Sequence, residues 1–404
     1  MVVPRGAAAR GEPPGPGCGT VERVPPPRRF GRRALLVGAG AAALVAAGTA
    51  EGWLPATPTA GAAEPTPEQL RDAVLSGVVP HTGLAESTGG LGLPDIPRLE
   101  SASALLSTTT RIRVQVAARD RWRIDQLTPA GEIDTYRLGD TEYLWDYGGN
   151  RLTTIRGTAP VRLPRASDLA PSDLARRLLG ITATEAVSAL PPRRIAGYAV
   201  PGIRVVPADP AGTVGRIDVW ALPGPAGTPA LPMAVEIAAK GAAGPVLSTA
   251  FTSVEAAPPS GLALRPDVPP GAESVSARPG DLAGVLRGLG APPPPDSLAG
   301  RARVELPGSD EGALPGIGVY GTGVSRFVLV PAGRDVARQI IGGAGAAGGV
   351  PIAGFAPDRA VRVATPLLGL VVVRRRGGGF LLAGTVVPDV LEAAATELVP
   401  GVRR

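Results

Sequence analysis

Between Arg111 and Gly157 the chain alternates apolar and polar residues through four or five short segments, each ended by a tight turn. Ile112, Val114 and Val116 alternate with Arg111, Arg113 and Gln115, and Trp122 and Ile124 alternate with Arg121, Arg123 and Asp125. Pro129-Ala130-Gly131 and Gly139-Asp140 are turn signals on either side of Ile133–Leu138. Thr141–Tyr147 then sets Tyr143, Trp145 and Tyr147 against Glu142 and Asp146, and Gly148-Gly149-Asn150 leads into Arg151–Arg156. A period of two sustained this long predicts antiparallel strands with one apolar and one polar face. The apolar face has to be covered, and what covers it bears on function.

A second strand series is predicted at Arg194–Val206, Gly215–Leu222, Pro232–Lys240 and Pro245–Val254, with turns at Asp209–Gly212, Pro223-Gly224 and Lys240-Gly241. Upstream, Thr66 as N-cap, Pro67 at the first helical position and Gln69 three residues after the cap predict a helix over Pro67–Ser76. Gly83–Ser107 reads as a long irregular loop, and Pro171–Leu179 and Ala183–Leu190 as two short helices, one capped near Ser172. After the proline-rich Pro258–Gly271 comes a linker with a helix at Asp281–Leu289. A smaller unit follows: strand Gly323–Val330, helix Arg334–Ile341, strands Arg359–Ala364, Leu367–Arg374 and Gly379–Val387, and helix Pro388–Leu398. The expected division is a disordered basic tail over 1–33, a signal or transmembrane segment over 34–50, a linker over 51–65, a β domain over 66–272, a Pro/Gly-rich linker over 273–316 and a small α+β domain over 317–404.

Charge excludes nucleic acid as a partner. The net charge is +6, and five of those charges come from seven arginines set against Glu12 and Glu22 within residues 1–50. The remaining chain is nearly neutral, whereas a nucleic-acid surface needs basic residues clustered on the domain itself. The N-terminal arginines suit export instead. Arg28-Arg29-Phe30-Gly31-Arg32-Arg33 precedes the uncharged, apolar Ala34–Ala50, which reads as a signal peptide or an uncleaved anchor and places the rest outside the cytoplasm. Cys18, the single cysteine, precedes that stretch, so no intramolecular disulfide forms and no lipidated cysteine follows the segment.

Enzymatic chemistry finds no footing. His81 is the only histidine and reads as a solvated loop residue; with one cysteine, a zinc site by His/Cys count is excluded. Gly316-Ile317-Gly318-Val319-Tyr320-Gly321 matches G-x-G-x-x-G, but a strand follows where a dinucleotide site needs a helix, so it reads as a flexible lead-in. Gly342–Gly349 has no Gly-Lys-Ser/Thr. Glu132 with Asp134, and Glu142 with Asp146, read as solvated strand residues. No cofactor and no metal are expected.

Taken in order, several phrases resemble the LolA/RseB-like family of lipoprotein carriers, sigma-E regulatory proteins and their actinobacterial envelope relatives. These are Pro67-Glu68-Gln69-Leu70, Leu91-Gly92-Leu93-Pro94, Asp120–Ile124, Gly139–Tyr147, Pro232–Ile237, Phe251–Val254 and Pro269–Ala272, which together span about half of the chain. The region 317–404 is similar to the tail domain of many actinobacterial members. The resemblance implies an α+β, mostly β fold: a curved antiparallel half-barrel with plugging helices, plus a small C-terminal α+β domain. Its hollow side would be lined by Val114, Val116, Trp122, Ile124, Tyr143, Trp145, Val219, Val235 and Ile237. The implied function is non-enzymatic binding of lipid or lipoprotein acyl chains in the cell envelope, with a regulatory module that binds a membrane anti-sigma protein as the alternative. Both leave a physical question open, because large apolar side chains fill a half-barrel against its helices as readily as they line a cavity.

Overall fold

The computed structural model describes residues 64–91, 100–129, 131–157, 162–277, 286, 288, 290–305, 315–344 and 348–399. Ala34–Ala50, Cys18 and most of the helix expected at Asp281–Leu289 lie outside them. The first element, α1 (Pro67–Ser76), starts as the sequence predicts. Gln69 N donates to Thr66 Oγ1 at 3.2 Å, and Thr66 N donates to Gln69 Oε1 at 2.9 Å.

Twelve strands form one large, curved, open sheet. They are β1 (His81–Gly89), β2 (Thr109–Ala118), β3 (Arg121–Thr128), β4 (Gly131–Leu138), β5 (Thr141–Asp146), β6 (Arg151–Arg156), β7 (Val187–Ile195), β8 (Tyr198–Val205), β9 (Val214–Leu222), β10 (Leu231–Ala239), β11 (Leu247–Glu255) and β12 (Glu273–Ala277). The order is β12-β6-β5-β4-β3-β2-β1-β11-β10-β9-β8-β7, antiparallel except for the parallel pair β12–β6. The fold class expected from sequence is therefore the one observed, and the large sheet runs on to Ala277.

Several local expectations are corrected. The stretch read as a loop contains β1, the seam that joins the two strand series by pairing with both β2 and β11, and helix α2 (Glu100–Ser107). Small residues disguise β1 as a loop. A Cβ on Gly83 would sit 2.5 Å from the Ser253 carbonyl oxygen, so the close approach of β11 requires glycine there. The second of the two expected helices is instead β7, an edge strand whose Pro191-Pro192 falls at a register shift, where missing N–H groups cost no ladder bonds. It turns into β8 through Ala196 (φ 48°) and Gly197 (φ 88°), the left-handed pair of a tight hairpin. The expected helix at 171–179 is α3 (Pro171–Ile181), preceded by a 3-10 turn at Ala166–Leu169. Ser172 does not cap it.

Leu70 and Val74 of α1, Ala175 and Leu179 of α3 and Leu169 of the 3-10 turn pack into one core with the apolar face of the large sheet. A two-stranded hairpin, β13 (Ser297–Leu298) and β14 (Arg301–Ala302), leads to the second sheet. That sheet runs β15 (Gly318–Thr322), β16 (Ser325–Ala332), β20 (Gly378–Gly384), β19 (Gly369–Arg375), β18 (Ala360–Ala364) and β17 (Val350–Pro351). Helices cover both of its faces. Ala337 and Ile340 of α4 (Arg334–Ala344) pack with Leu370 and Val372, while Leu391 and Ala394 of α5 (Pro388–Glu397) pack with Val371 and Val373. This explains why β19 is a continuous apolar run rather than an alternating one. The G-x-G-x-x-G match is mostly β15, not a flexible lead-in: Tyr320 is buried and its hydroxyl donates to the Pro295 carbonyl at 2.9 Å. The two sheets are joined at the β8–β9 loop, where Val387 N donates to Ala211 O (2.8 Å) and Thr213 N to Thr385 O (3.0 Å).

Candidate functional site

Residues directly opposite each other in a ladder project to the same face. Val116 pairs with Trp122 and Val114 with Ile124; Val235 pairs with Val219, and Ile237 with Ile217. β1 carries the same face across the seam through His81↔Val116 and Gly83↔Val114. Seven of the nine residues named from sequence therefore share the face that the helices cover. Tyr143 and Trp145 do not. Trp122 lies opposite Arg137 and Arg137 opposite Glu142, so Tyr143 and Trp145 project from the other face, opposite Tyr136 and Asp134.

Within the shared face, Val114, Val219, Val235 and Ile237 are core residues packed with Leu70, Val74, Ala175 and Leu179. Val116 and Ile124 are buried in the same core, and together with the half-buried Trp122 they also line a cleft of about 390 Å³ between β2, β3 and α3. Ala118 and Ile181 extend its apolar wall, and Ser167, Ser172, Asp173, Gly180 and three arginines, Arg119, Arg176 and Arg177, complete it. Trp122 is half-buried, and Ile181, at the last residue of α3, is 41 % exposed, so the cleft presents apolar surface to solvent. The volume falls at the small end of the roughly 300–1,000 Å³ typical of ligand pockets.

Beside the cleft stands the histidine read from sequence as solvated. His81 instead opens β1, is fully buried, and packs edge-on against Phe251 with ring centroids 5.5 Å apart. Its Nδ1 lies 2.7 Å from the Val79 carbonyl oxygen, which only accepts, so Nδ1 carries the proton. Nε2 then accepts from the Ser172 hydroxyl at 3.1 Å. Ser172 does not cap α3 because it lies inside the helix, two residues past the N-cap Ala170. Burial holds the imidazole pKa down at about 4, so the ring is neutral near pH 7. Ser172 is itself fully buried, so the pair ties α3 to β1 rather than presenting a nucleophile.

The other face carries a second polar group that sequence reasoning placed in solvent. Asp125 and Asp134 are directly opposite each other on β3 and β4 and both are fully buried. Arg123 spans them, with Nε 2.6 Å from Asp125 Oδ1 and Nη2 2.9 Å from Asp134 Oδ2, and Arg113 Nη1 holds Asp125 Oδ2 at 2.9 Å. Tyr136 donates to Asp134 Oδ2 at 2.9 Å. Burial, and then the Asp125 carboxylate, push Asp134 up to about 7. The oxygens of Asp125, Glu132 and Asp134 come within 4.8 Å of one another, close enough for a metal, but two guanidinium groups already answer this charge. Glu142, also read as solvated, is buried and paired with Arg165 (2.7 Å) and Arg137 (3.2 Å).

Sequence reasoning thus missed His81, Ser172 and the three cleft arginines. No local charge run marks these arginines, because Arg119 sits just past the end of β2 and Arg176-Arg177 on a helix far along the chain, and only the packing of α3 brings them together.

No protein-family model matches the sequence, and no curated protein matches it. Among solved structures the chain is similar to the Pseudomonas aeruginosa MucA/MucB complex at 16% identity, over 81% of this chain and 94% of that one, with a TM-score of 0.42. It is similar to LprF from Mycobacterium bovis at 12% identity, over 52% and 100% of the two chains, with a TM-score of 0.28. A LolA-superfamily protein from Nitrosomonas europaea gives 12% identity, 50% and 99% coverage and a TM-score of 0.26. The last of these carries in its description the LolA superfamily name that the sequence resemblance also gives.

Proposed function

We propose that this protein is a non-enzymatic binder of a lipid or lipoprotein acyl chain, acting outside the cytoplasm. The observation that carries the reading is the open cleft between α3 and the β2–β3 hairpin, walled by Val116, Trp122, Ile124 and Ile181. An acyl chain laid there loses water at roughly 0.8 kcal/mol per buried methylene, so one chain binds usefully without covalent chemistry. The sequence supports the location: the arginine-rich segment ahead of Ala34–Ala50 fits export or anchoring with the folded part outside. A regulatory reading, in which the protein holds a membrane anti-sigma protein, is the second one, and it rests on the resemblance of the sequence to the sigma-E regulatory members of the family.

Native mass spectrometry of the purified chain with lipid extraction tests the reading. Co-purifying acyl species are expected, and Trp122→Asp, which places a carboxylate on the cleft wall, is expected to weaken binding of a fluorescent fatty-acid probe at least tenfold. Val235→Ala serves as comparison, since it opens the core and costs stability while leaving the cleft wall intact. A chain that is always empty and takes up no probe ends the acyl-chain reading; a stoichiometric complex with a single-pass membrane protein under the same conditions favours the regulatory one.

A further inference from the structure

The cleft is charged as well as apolar, and its charge is unbalanced. Arg119, Arg176 and Arg177 line it against one carboxylate, Asp173. Arg177 is already answered: its Nε meets Asp173 Oδ2 at 2.7 Å and its Nη1 meets Asp168 Oδ1 at 2.8 Å. Arg119 Nη2 donates to the Leu75 carbonyl at 3.2 Å and meets no carboxylate among the described residues. Arg176 is the outlier. Its side chain is 12% exposed, its nearest carboxylate is Asp173 at 3.9 Å, and no hydrogen bond of its guanidinium is found among the described residues. Elsewhere in the same sheet the half-buried guanidinium groups of Arg123 and Arg204 sit on carboxylates at 2.6 Å.

A desolvated cation without a close partner is costly, and here two more cations stand nearby. Burial pulls the Arg176 pKa down, and Arg119 and Arg177 add to the shift while Asp173 opposes it. An anion between Arg176 and Arg119 would remove that cost and would gain charge-assisted hydrogen bonds in a partly water-excluded site. The apolar wall begins at the same place, with Trp122 and Ile181 lining the cleft that the two arginines share.

We infer that the cleft selects an anionic amphiphile, with the acidic head at Arg176 and Arg119 and the hydrocarbon chain against Trp122 and Ile181. This rests on the acyl-chain reading above and adds to it the charge of the ligand. Juxtaposition of an unanswered guanidinium with apolar surface favours an amphiphile over a small free anion, which would leave Trp122 and Ile181 uncovered.

The test uses the full chain and two probes with one chain length, 11-(dansylamino)undecanoic acid and its methyl ester. The acid is expected to bind at least tenfold more tightly than the ester. Arg176→Gln is expected to bring the acid down to the ester's affinity and leave the ester unchanged, while Arg111→Gln, an exposed charge on the opposite face of β2, leaves both unchanged. Salt supplies a measurement that needs no variant: the acid's affinity falls between about 50 mM and about 500 mM NaCl and the ester's does not. Equal binding of acid and ester, insensitive to salt, overturns the inference and leaves the acyl-chain reading standing. Failure of both probes to bind overturns both. Displacement of the acid probe by inorganic phosphate as readily as by dodecanoate identifies a free-anion site and overturns the amphiphile.

Discussion

Replacing Arg123 with methionine should cost about 3–5 kcal/mol of folding stability, seen as a lower midpoint in urea. The guanidinium bridges two carboxylates that lie opposite each other in neighbouring strands, Asp125 and Asp134, and both are fully buried. It also lies over the Tyr136 ring, 5.0 Å from its centroid, and donates to the Ala263 carbonyl at 3.5 Å. Methionine keeps much of the volume and none of the charge. Asp125 would retain Arg113, but Asp134 would keep only the Tyr136 hydroxyl, and its Oδ1 has no partner even with Arg123 present. Adding Asp134→Asn to Arg123→Met should therefore restore part of the loss, because the carboxyl that Arg123 leaves behind must either stay charged without its partner or take up a proton, and the amide does neither. A loss below about 1 kcal/mol for the single variant, the level of an exposed ion pair, would mean that water reaches the carboxylates and that burial does not set their energetics.

Acid should reveal two buried groups that oppose each other. His81 has its pKa lowered to about 4 in the folded protein from 6.5. Between those values the unfolded chain binds the proton and the folded one does not, so this group lowers stability as pH falls from about 6.5 to 4. Asp134 is raised to about 7 from 3.8, so the folded state holds the proton first. Its contribution is present in full below about pH 4 and is lost as pH rises towards 7. Each effect is on the order of 3 kcal/mol across its window. They run in opposite directions over nearly the same range, so they largely cancel in the wild-type profile. His81→Asn keeps a donor for Val79 and an acceptor for Ser172 and removes the titration; its stability should rise relative to wild type as pH falls from 6.5 to about 4. Asp134→Asn should do the reverse. Urea midpoints at intervals between about pH 4 and about pH 7.5 read both slopes, and variant profiles parallel to wild type would show that neither group titrates in this window.

Both predictions concern residues whose environment the sequence misjudged, and the reasons are physical. His81 sits in a stretch of Gly, Ala, Ser and Thr with no strand signature, because β1 is the seam where neighbouring backbones come too close for large side chains. Propensity reports side-chain bulk, and here the packing asks for its absence. Asp134 stands two residues from Glu132 in a strand, and two carboxylates at that spacing read as a solvated face. Alternation says that a strand has two unlike faces and not that the polar one is wet. The proline-rich segment after β11 returns to that face, where Leu264 is buried, and Asp125, Asp134, Tyr136 and Trp145 are buried with it.

The sequence by itself determined what depends on neighbours along the chain. The Thr66–Gln69 capping box starts α1, the turns at Gly139-Asp140 and Gly148-Gly149-Asn150 separate strands, and the strands and helices of the smaller unit fall in the expected order. Seven of the nine residues named for the hollow side also share one face, since a period of two holds within each strand. Only the tertiary structure decided which of those residues line a cleft. The register from β3 through β4 to β5 sends Tyr143 and Trp145 to the opposite face, and the packing of the helices closes Val114, Val116, Ile124, Val219, Val235 and Ile237 into core while leaving Trp122 half-buried in a cleft beside Arg119 and Arg176, with Val116 and Ile124 in its wall. Register and helix docking are set by contacts between residues far apart in the chain, and no local pattern carries them.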